Sequence, residues 1–337
     1  MFPILLASCL FAFVVTYFIV KKFIVFFENI GLVGYDINKK ERPVVAEMGG
    51  VPVAFGFMIA VLIFVGFEIF VYNNAQYNML FPSLLTVLLI VFIYMLDDLT
   101  AILRTKEVKK DFIKKQGFRQ RHKLLFPLVA AIPIMSANVG TSTMVLPLFG
   151  EVNLGILYAL VIIPLGILGA SNATNMLAGM NGLEAGCGII SIFSISVFAY
   201  MQSEIVAASF GFIFCACLLA FLVYNWYPAR IFPGDSMTYM TGTIIALVAI
   251  IGNVEKFALF IFPIWFAELA LKLMSKFKAE SFGKLNAKGY LIRPYKRIYS
   301  VTHIFMDGKT SERMIVAKIM LVQAIICVVA FLMVNVV

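Results

Sequence analysis

The chain has 337 residues, of which 62% are hydrophobic and only 13% charged, with a formal net charge of +9 at pH 7. A soluble globular domain carries about 25% charged residues, so the composition excludes one and describes a chain that crosses a bilayer repeatedly. The cations gather in a few segments, Lys21 to Arg42, Arg104 to Lys123 and Lys272 to Lys318. The excess charge therefore reads as membrane topology and attraction to anionic lipid or phosphate, and no nucleic-acid partner is expected.

Apolar stretches long enough to cross roughly 30 Å of hydrocarbon fall near 3–26, 50–72, 81–99, 124–139, 154–173, 183–201, 205–223, 237–252, 256–275 and 314–336. The expected fold is an all-α polytopic membrane protein of about ten transmembrane helices. The first run lacks a basic leader and is followed by Lys21 and Lys22, which reads as a first span rather than a cleaved signal. With alternating loops, every Lys and Arg except Lys256 maps to one side. The positive-inside rule makes that side cytoplasmic and puts both termini outside. Cys9, Cys187, Cys215, Cys217 and Cys327 all lie within expected spans without paired metal spacing, so neither a disulfide framework nor a zinc site is indicated. No linker or repeat divides the chain, and residues 1–337 read as one integral-membrane domain.

The third span ends on Asp97-Asp98 after the apolar run Leu84 to Leu96. An ionised carboxylate there costs of order several kcal/mol unless paired or hydrated, so the pair implies a cation. A helix-end pair solvated among the headgroups is the plain alternative. Adjacent helical residues point about 100° apart, so the two acids need not share one job. Beyond them, Val108, Phe112 and Ile113 alternate with Lys109, Lys110, Lys114 and Lys115, which suits either a short amphipathic helix on the headgroups or a solvated loop. Arg121-His122-Lys123 opens the fourth span. Arg121 fits a snorkelling cation, whereas Lys123 stands out as a partner for acids.

Asn172 and Asn175 are spaced i, i+3 on one helix face, where amide oxygens can ligate a hard cation, bind a sugar hydroxyl or simply bond a neighbouring helix. Asn181 and Glu184 have the spacing of an N-cap and its returning acid. In Tyr224 to Ser236, Pro228, Pro233 and Gly234 break the helix. Asp235 then opens the next span at a helix N-terminus, and Phe232 offers a flat face on which a base can stack. In the last long segment, Lys276 to Arg313, the cations Lys284, Lys288, Arg293, Lys296 and Arg297 are expected to surround an anionic substrate.

Bringing Asp97, Asp98 and Asp235 together without a counter-ion would be unfavourable. Magnesium, with manganese as a substitute, resolves the conflict, because it prefers oxygen ligands and bridges carboxylates to substrate phosphates. The expected substrate is nucleotide-activated or phosphorylated. An ion-coupled transporter with an intramembrane acidic site is the alternative from another class. It predicts polar residues at both faces, whereas here they collect at one.

At these residues the chain resembles the polyprenyl-phosphate N-acetylhexosamine-1-phosphate transferases, most closely their eukaryotic and archaeal dolichyl-phosphate branch. The stretches that carry the likeness are RHKLLFP from Arg121, NLGILY from Asn153, NATNMLAGMNGLEAG from Asn172 and YNWYPARIFPGD from Tyr224. The resemblance implies magnesium-dependent transfer of N-acetylglucosamine 1-phosphate, or a related N-acetylhexosamine, from a UDP-sugar to dolichyl or polyprenyl phosphate. UMP is released, as in the first step of N-glycan precursor assembly. Carried over position by position, Asn175 and Asp235 are metal ligands and Lys123 is a catalytic pyrophosphate contact. Asn172, Asn181 and, near the nucleotide, Glu47 contact substrate, Phe232 packs on uracil, and Asp97 and Asp98 are the catalytic acid pair. Arg293, drawn from the cations of the last long segment and not from a matched motif, is expected to contact substrate as well.

The chain departs from the family in two places. Enzymes that use UDP-MurNAc-pentapeptide carry a histidine cluster in the last cytoplasmic loop, and this chain has only His122 and His303. The arginine-flanked motif of the dolichyl-type enzymes is missing from Ala279 to Lys284. The implied setting is a prokaryotic, archaeal cell membrane with a cytoplasm-facing site, or the endoplasmic reticulum in a eukaryote. A homodimer is an admissible assembly.

Overall fold

The computed structural model describes residues 2–104, 117–146 and 150–334. The expected amphipathic segment around Val108 to Lys115 lies outside the described residues. Long apolar runs form α1 (Phe2–Asn29), α2 (Gly50–Phe70), α3 (Leu80–Arg104), α6 (Ile163–Met176, extended at its start by a π turn, Tyr158–Ile162), α7 (Leu183–Met201), α8 (Ile205–Asn225), α9 (Gly234–Ile251) and α13 (Glu312–Met333). In hydrocarbon a helix satisfies its own backbone, which is why these stretches stay helical from end to end.

Among the described residues, eight helices are long and apolar enough to span a membrane. A ninth span exists if α10 (Glu255–Ile261) and α11 (Pro263–Met274), bent by 57° at Phe262, count as one. The stretch expected as the fourth span is two short helices, α4 (Gln120–Ala130) and α5 (Ile132–Ser136), parted at Ala131. Pro127 and Pro133 interrupt its hydrogen-bond ladder. The count of ten therefore rests on a segment that the structure divides. The remaining helices among the described residues are a 3-10 turn, Ala75–Met79, and the single turn α12 (Val301–Ile304).

Among the described residues, three small strand pairs depart from a purely helical fold: β1 (Val33–Tyr35) with β2 (Val44–Ala46), β3 (Thr143–Leu146) with β4 (Gly150–Asn153), and β5 (Lys284–Leu285) with β6 (Leu291–Ile292). Each is antiparallel, with Val33 opposite Ala46, Thr143 opposite Asn153 and Lys284 opposite Ile292.

The axis of the bundle is α9, 89% buried, whereas α1 at the periphery is only 22% buried. Against α9 pack α2, α3, α6, α7 and α8. Close approach is secured by small residues: a Cβ added at Gly242 would lie 2.6 Å from the Ala170 carbonyl carbon, so α6 and α9 touch backbone to backbone there. At the α10–α11 bend, Pro263 has no N–H to give, and the Trp265 N–H goes to the Phe262 carbonyl at 3.0 Å. Gln323, wholly buried in α13, donates at 2.9 Å to the Ile261 carbonyl beside the bend and at 2.9 Å to the Ser191 hydroxyl of α7.

Candidate active site

Asp97 and Asp98 are both buried, at 2% and 8% exposure, and the turn of α3 sends them in different directions. Asp97 forms an ion pair with Lys123 at 2.7 Å and accepts the Phe118 N–H. Asp98 faces the start of α9. Its Oδ1 accepts the Asp235 N–H at 2.9 Å, and its Oδ2 accepts the Ser236 N–H at 3.1 Å and the Ser236 hydroxyl at 3.0 Å. A carboxylate on the free amides of a helix N-terminus is favoured by hydrogen bonding and dipole together. The turn that presents those amides requires glycine: Gly234 has φ +70°, and a Cβ there would lie 2.6 Å from Asp98 Oδ2.

Asp235 thus begins α9 with its backbone held by Asp98 and its side chain paired with Lys123. Lys123 lies between Asp97 and Asp235, and two stacked tyrosines buttress it. Tyr94 and Tyr239 have ring centroids 3.5 Å apart, the Tyr94 hydroxyl donates to the Lys123 carbonyl at 2.7 Å, and the Lys123 ammonium stands 5.9 Å from the Tyr239 ring. The Asp235 side chain retains 28% exposure, which leaves this corner open to a ligand.

On α6, the Asn175 carbonyl oxygen lies 2.7 Å from the Thr238 hydroxyl, which is also 3.1 Å from the Asp235 backbone carbonyl. One threonine on the first turn of α9 therefore links the two expected metal ligands. Asn172 is tied inward instead. Its amide nitrogen donates to the Leu124 and Leu168 carbonyls at 3.1 and 2.8 Å, and its oxygen accepts the Tyr239 hydroxyl at 3.2 Å. The interhelical bonding weighed as an alternative for Asn172 is what this geometry displays.

Glu47 is buried in the loop after β2, with its side chain against Gly34, where an added Cβ would lie 2.9 Å from Glu47 Cδ. That loop is laced to the segment preceding α9. The Phe232 N–H donates to Ala46 at 2.8 Å, and the Gly49 and Gly50 N–H groups donate to Phe232 and Pro233 at 2.9 Å each. Asp97, Asp98, Lys123, Asn175 and Asp235 accordingly form one connected cluster, with Glu47 and Phe232 on the adjoining loops.

Asn181 and Arg293 stand in other networks. The Asn181 amide bonds to Asp36 at 3.1 Å, Lys39 at 3.0 Å and the Ala229 N–H at 2.9 Å. The capping box expected for it does not form: the residue before α7 is Gly182, with φ +82°, and Glu184 instead accepts the Gly179 N–H at 2.7 Å. Arg293 lines an open cavity of about 580 Å³ with Leu271, Met274, Lys296, Arg297, Ile298 and Ile304. Lys284 and Lys288 belong to the β5–β6 hairpin and do not line it. This last segment is moored to α11 through Glu268, which accepts the Val301 N–H at 2.7 Å and the Ser300 hydroxyl at 3.0 Å and lies 3.6 Å from Lys272. His303, 1% exposed, accepts the Tyr299 N–H at 3.3 Å, and burial reinforced by Lys272 pushes its pKa down to about 4.

Among the described residues, no group of three or more His, Cys, Asp or Glu side chains is arranged to enclose a metal alone. The oxygens at hand, the Asp235 carboxylate and the Asn175 amide beside Asp97, suit an ion that takes one or two protein ligands and completes its shell with water and phosphate, as magnesium does. Asp97, Asp235 and Lys123 together leave one negative charge, which favours an incoming cation. Sequence reasoning missed Thr238, Tyr94 and Tyr239, since a threonine and tyrosines inside an apolar helix carry no sequence mark of the side they face.

A family model described as glycosyl transferase family 4 matches residues 80–253, which contain the whole acid–lysine–amide cluster. The chain is 32% identical to a protein of Sulfolobus acidocaldarius, over 97% of this chain and 95% of that protein. It is also 32% identical to one of Saccharolobus solfataricus, over 89% and 88%. Both carry the provisional name UDP-N-acetylglucosamine–dolichyl-phosphate N-acetylglucosaminephosphotransferase. A Dictyostelium discoideum protein with that name, not provisional, is 28% identical over 68% of this chain and 62% of its own length.

Proposed function

The chain belongs to glycosyl transferase family 4, and from that membership we propose that it transfers N-acetylglucosamine 1-phosphate, or a related N-acetylhexosamine 1-phosphate, from the UDP-sugar to dolichyl or another polyprenyl phosphate. Family membership replaces the transporter reading: the protein is a membrane-embedded transferase. The observation that carries the proposed reaction is Lys123, held between Asp97 and Asp235 beside Asn175.

A phosphomonoester has a second pKa near about 6, so the lipid phosphate arrives largely dianionic and needs no strong base. Its oxygen attacks the β-phosphorus in line. The bond from that phosphorus to the bridging oxygen breaks, and UMP leaves with the electron pair. Lys123 supplies positive charge to the pyrophosphate as the bridging oxygen gains charge. Asp97 holds Lys123 in place and orients the acceptor, while Asp98 fixes the helix that presents Asp235. Asn175 and Asp235 would hold magnesium, which supplies charge neutralisation at the phosphates. The cavity at Arg293, Lys296 and Arg297 combines cations with apolar Leu271, Met274 and Ile304, a lining that suits an anionic lipid, and it shares no residue with the Lys123 cluster.

On this proposal the chain is one integral-membrane domain with the cluster on the cytoplasmic side, which the one-sided distribution of Lys and Arg supports, in a prokaryotic cell membrane or, in a eukaryote, the endoplasmic reticulum. The test is UMP release from a panel of UDP-sugars with dolichyl phosphate, with and without magnesium. Release with UDP-N-acetylglucosamine that needs both lipid phosphate and magnesium is expected. No release with any UDP-sugar would refute the assignment.

A further inference from the structure

Lys39, in the turn between β1 and β2, is a second largely shielded lysine set between two acids, its side chain 10% exposed. Its ammonium lies 2.8 Å from Asp36 Oδ2, 2.6 Å from Glu312 Oε2 and 3.0 Å from Asn181 Oδ1, and 4.3 Å from the centroid of the Tyr227 ring. An ammonium has three protons to donate, and these three oxygens use them all. Unlike the Lys123 corner, this one is closed: the Asp36 and Glu312 side chains are 4% and 3% exposed, against 28% for Asp235. A saturated, shielded cation does not receive a phosphate. It clamps protein to protein.

The parts it clamps include Asn181 and the loop leading to Phe232, the positions that the family resemblance implies for substrate and uracil. Glu312 Oε1 accepts the Asn181 N–H at 2.9 Å, Asn38 donates to the Gly179 carbonyl at 3.0 Å, and Asn181 Oδ1 also accepts the Ala229 N–H at 2.9 Å. Asn225 reinforces the join, accepting the Gly182 N–H at 3.1 Å and donating to the Ile231 carbonyl at 2.8 Å. From there the chain runs into Phe232, pinned to Ala46, and then to Asp235. The first loop, the Gly179–Gly182 turn and the start of α13 thus meet on one ammonium, and the Ala229–Phe232 loop joins them through Asn181 and Asn225.

We propose that Lys39, with Asp36 and Glu312, is a positioning residue for nucleotide recognition: it locks the Asn181 turn and the Phe232 loop into one wall that grips the uridine end of the substrate. The inference rests on the transferase reading above and adds residues to it. A role in folding alone would lower stability without separating the two substrates, so the test reads that separation. Purified wild type, Lys39→Met, Glu312→Ala and, as a control at the opposite end of the bundle, Lys256→Met are assayed for UMP release with each substrate varied in turn. UMP binding is followed in parallel by equilibrium dialysis.

In Lys39→Met and Glu312→Ala, the KM for the UDP-sugar is expected to rise about tenfold or more and UMP affinity to fall likewise. The KM for dolichyl phosphate should stay within about twofold and kcat within about threefold, with Lys256→Met like wild type. An unchanged UDP-sugar KM, or equal changes in both KM values, overturns the clamp. Should Lys39→Met not fold, Glu312→Ala is read by the same criteria. A wild type that releases no UMP sinks the transferase reading instead, and UMP dialysis then decides the clamp alone.

Discussion

Asp98 and Asp235, 137 positions apart in the chain, meet through a hydrogen bond from the backbone of one to the carboxylate of the other. Asp98 serves as the cap of a helix to which it does not belong. This divides the acid pair: Asp97 faces the lysine and Asp98 faces the amides.

Asp98→Ala should therefore lower stability by about 1–2 kcal/mol, the worth of a lost cap, and UMP release with it, because Asp235 loses its anchor. Asp98→Asn keeps one acceptor oxygen and should fall between wild type and alanine in thermal unfolding and in rate. A covalent route through an aspartyl phosphate instead predicts equal inactivity of the two variants. Recovery of a phosphorylated Asp98 from the wild type would establish that route and remove this account.

Lys123→Met strips the cation from Asp97 and Asp235. UMP release should drop by at least about a hundredfold, comparable to loss of a charge-stabilising donor. The two carboxylates left behind need a counter-ion, so added magnesium should raise the melting temperature of the variant more than that of the wild type. An equal magnesium shift in both would show that Lys123 and the metal do not share a site.

Asp235→Ala removes a proposed metal ligand while leaving the backbone N–H that Asp98 accepts. The expected loss is about a hundredfold or more in UMP release, together with loss of the magnesium-induced rise in melting temperature. Retained activity with unchanged magnesium dependence rules out a ligand role for this residue.

His303 supplies a pH test of the last loop. Its folded pKa of about 4 lies below the ordinary 6.5, so between those values the unfolded chain binds the extra proton. Stability must then be complete above pH 6.5 and decline as pH falls toward 4. His303→Asn retains an acceptor for the Tyr299 N–H but does not titrate. Its melting temperature should lack that component of the acid decline, and parallel curves for the two proteins would exclude His303 as its source.

The convergence of Asp97, Lys123 and Asp235 was legible in the chain because each is a costly polar residue at the end of an apolar run, and Asn175 joined them through its spacing from Asn172 and the family resemblance. Phe232 and Asp235 were marked further by the prolines and glycine around them. The fourth span was misjudged in its continuity: hydropathy averages over Pro127 and Pro133, while the backbone ladder feels each one. Asn181 and Glu184 have the spacing of a cap, yet Asp36, Lys39 and Gly179 outbid the local pairing, and contacts made across the chain carry no spacing to read. Asp36 and Lys39 themselves were hidden in a basic loop whose charge already had an explanation.

The glutamine at the 57° bend has a mechanical meaning. Gln323 braces the corner from inside the bundle, so α11 leaves it like the arm of a bracket. At 12 residues that arm is about 18 Å long, and a tilt of about 10° at the corner would sweep its tip, Met274, through about 3 Å. The contour of the cavity at Arg293, which Met274 helps to line, is thus governed by a side chain that does not line it.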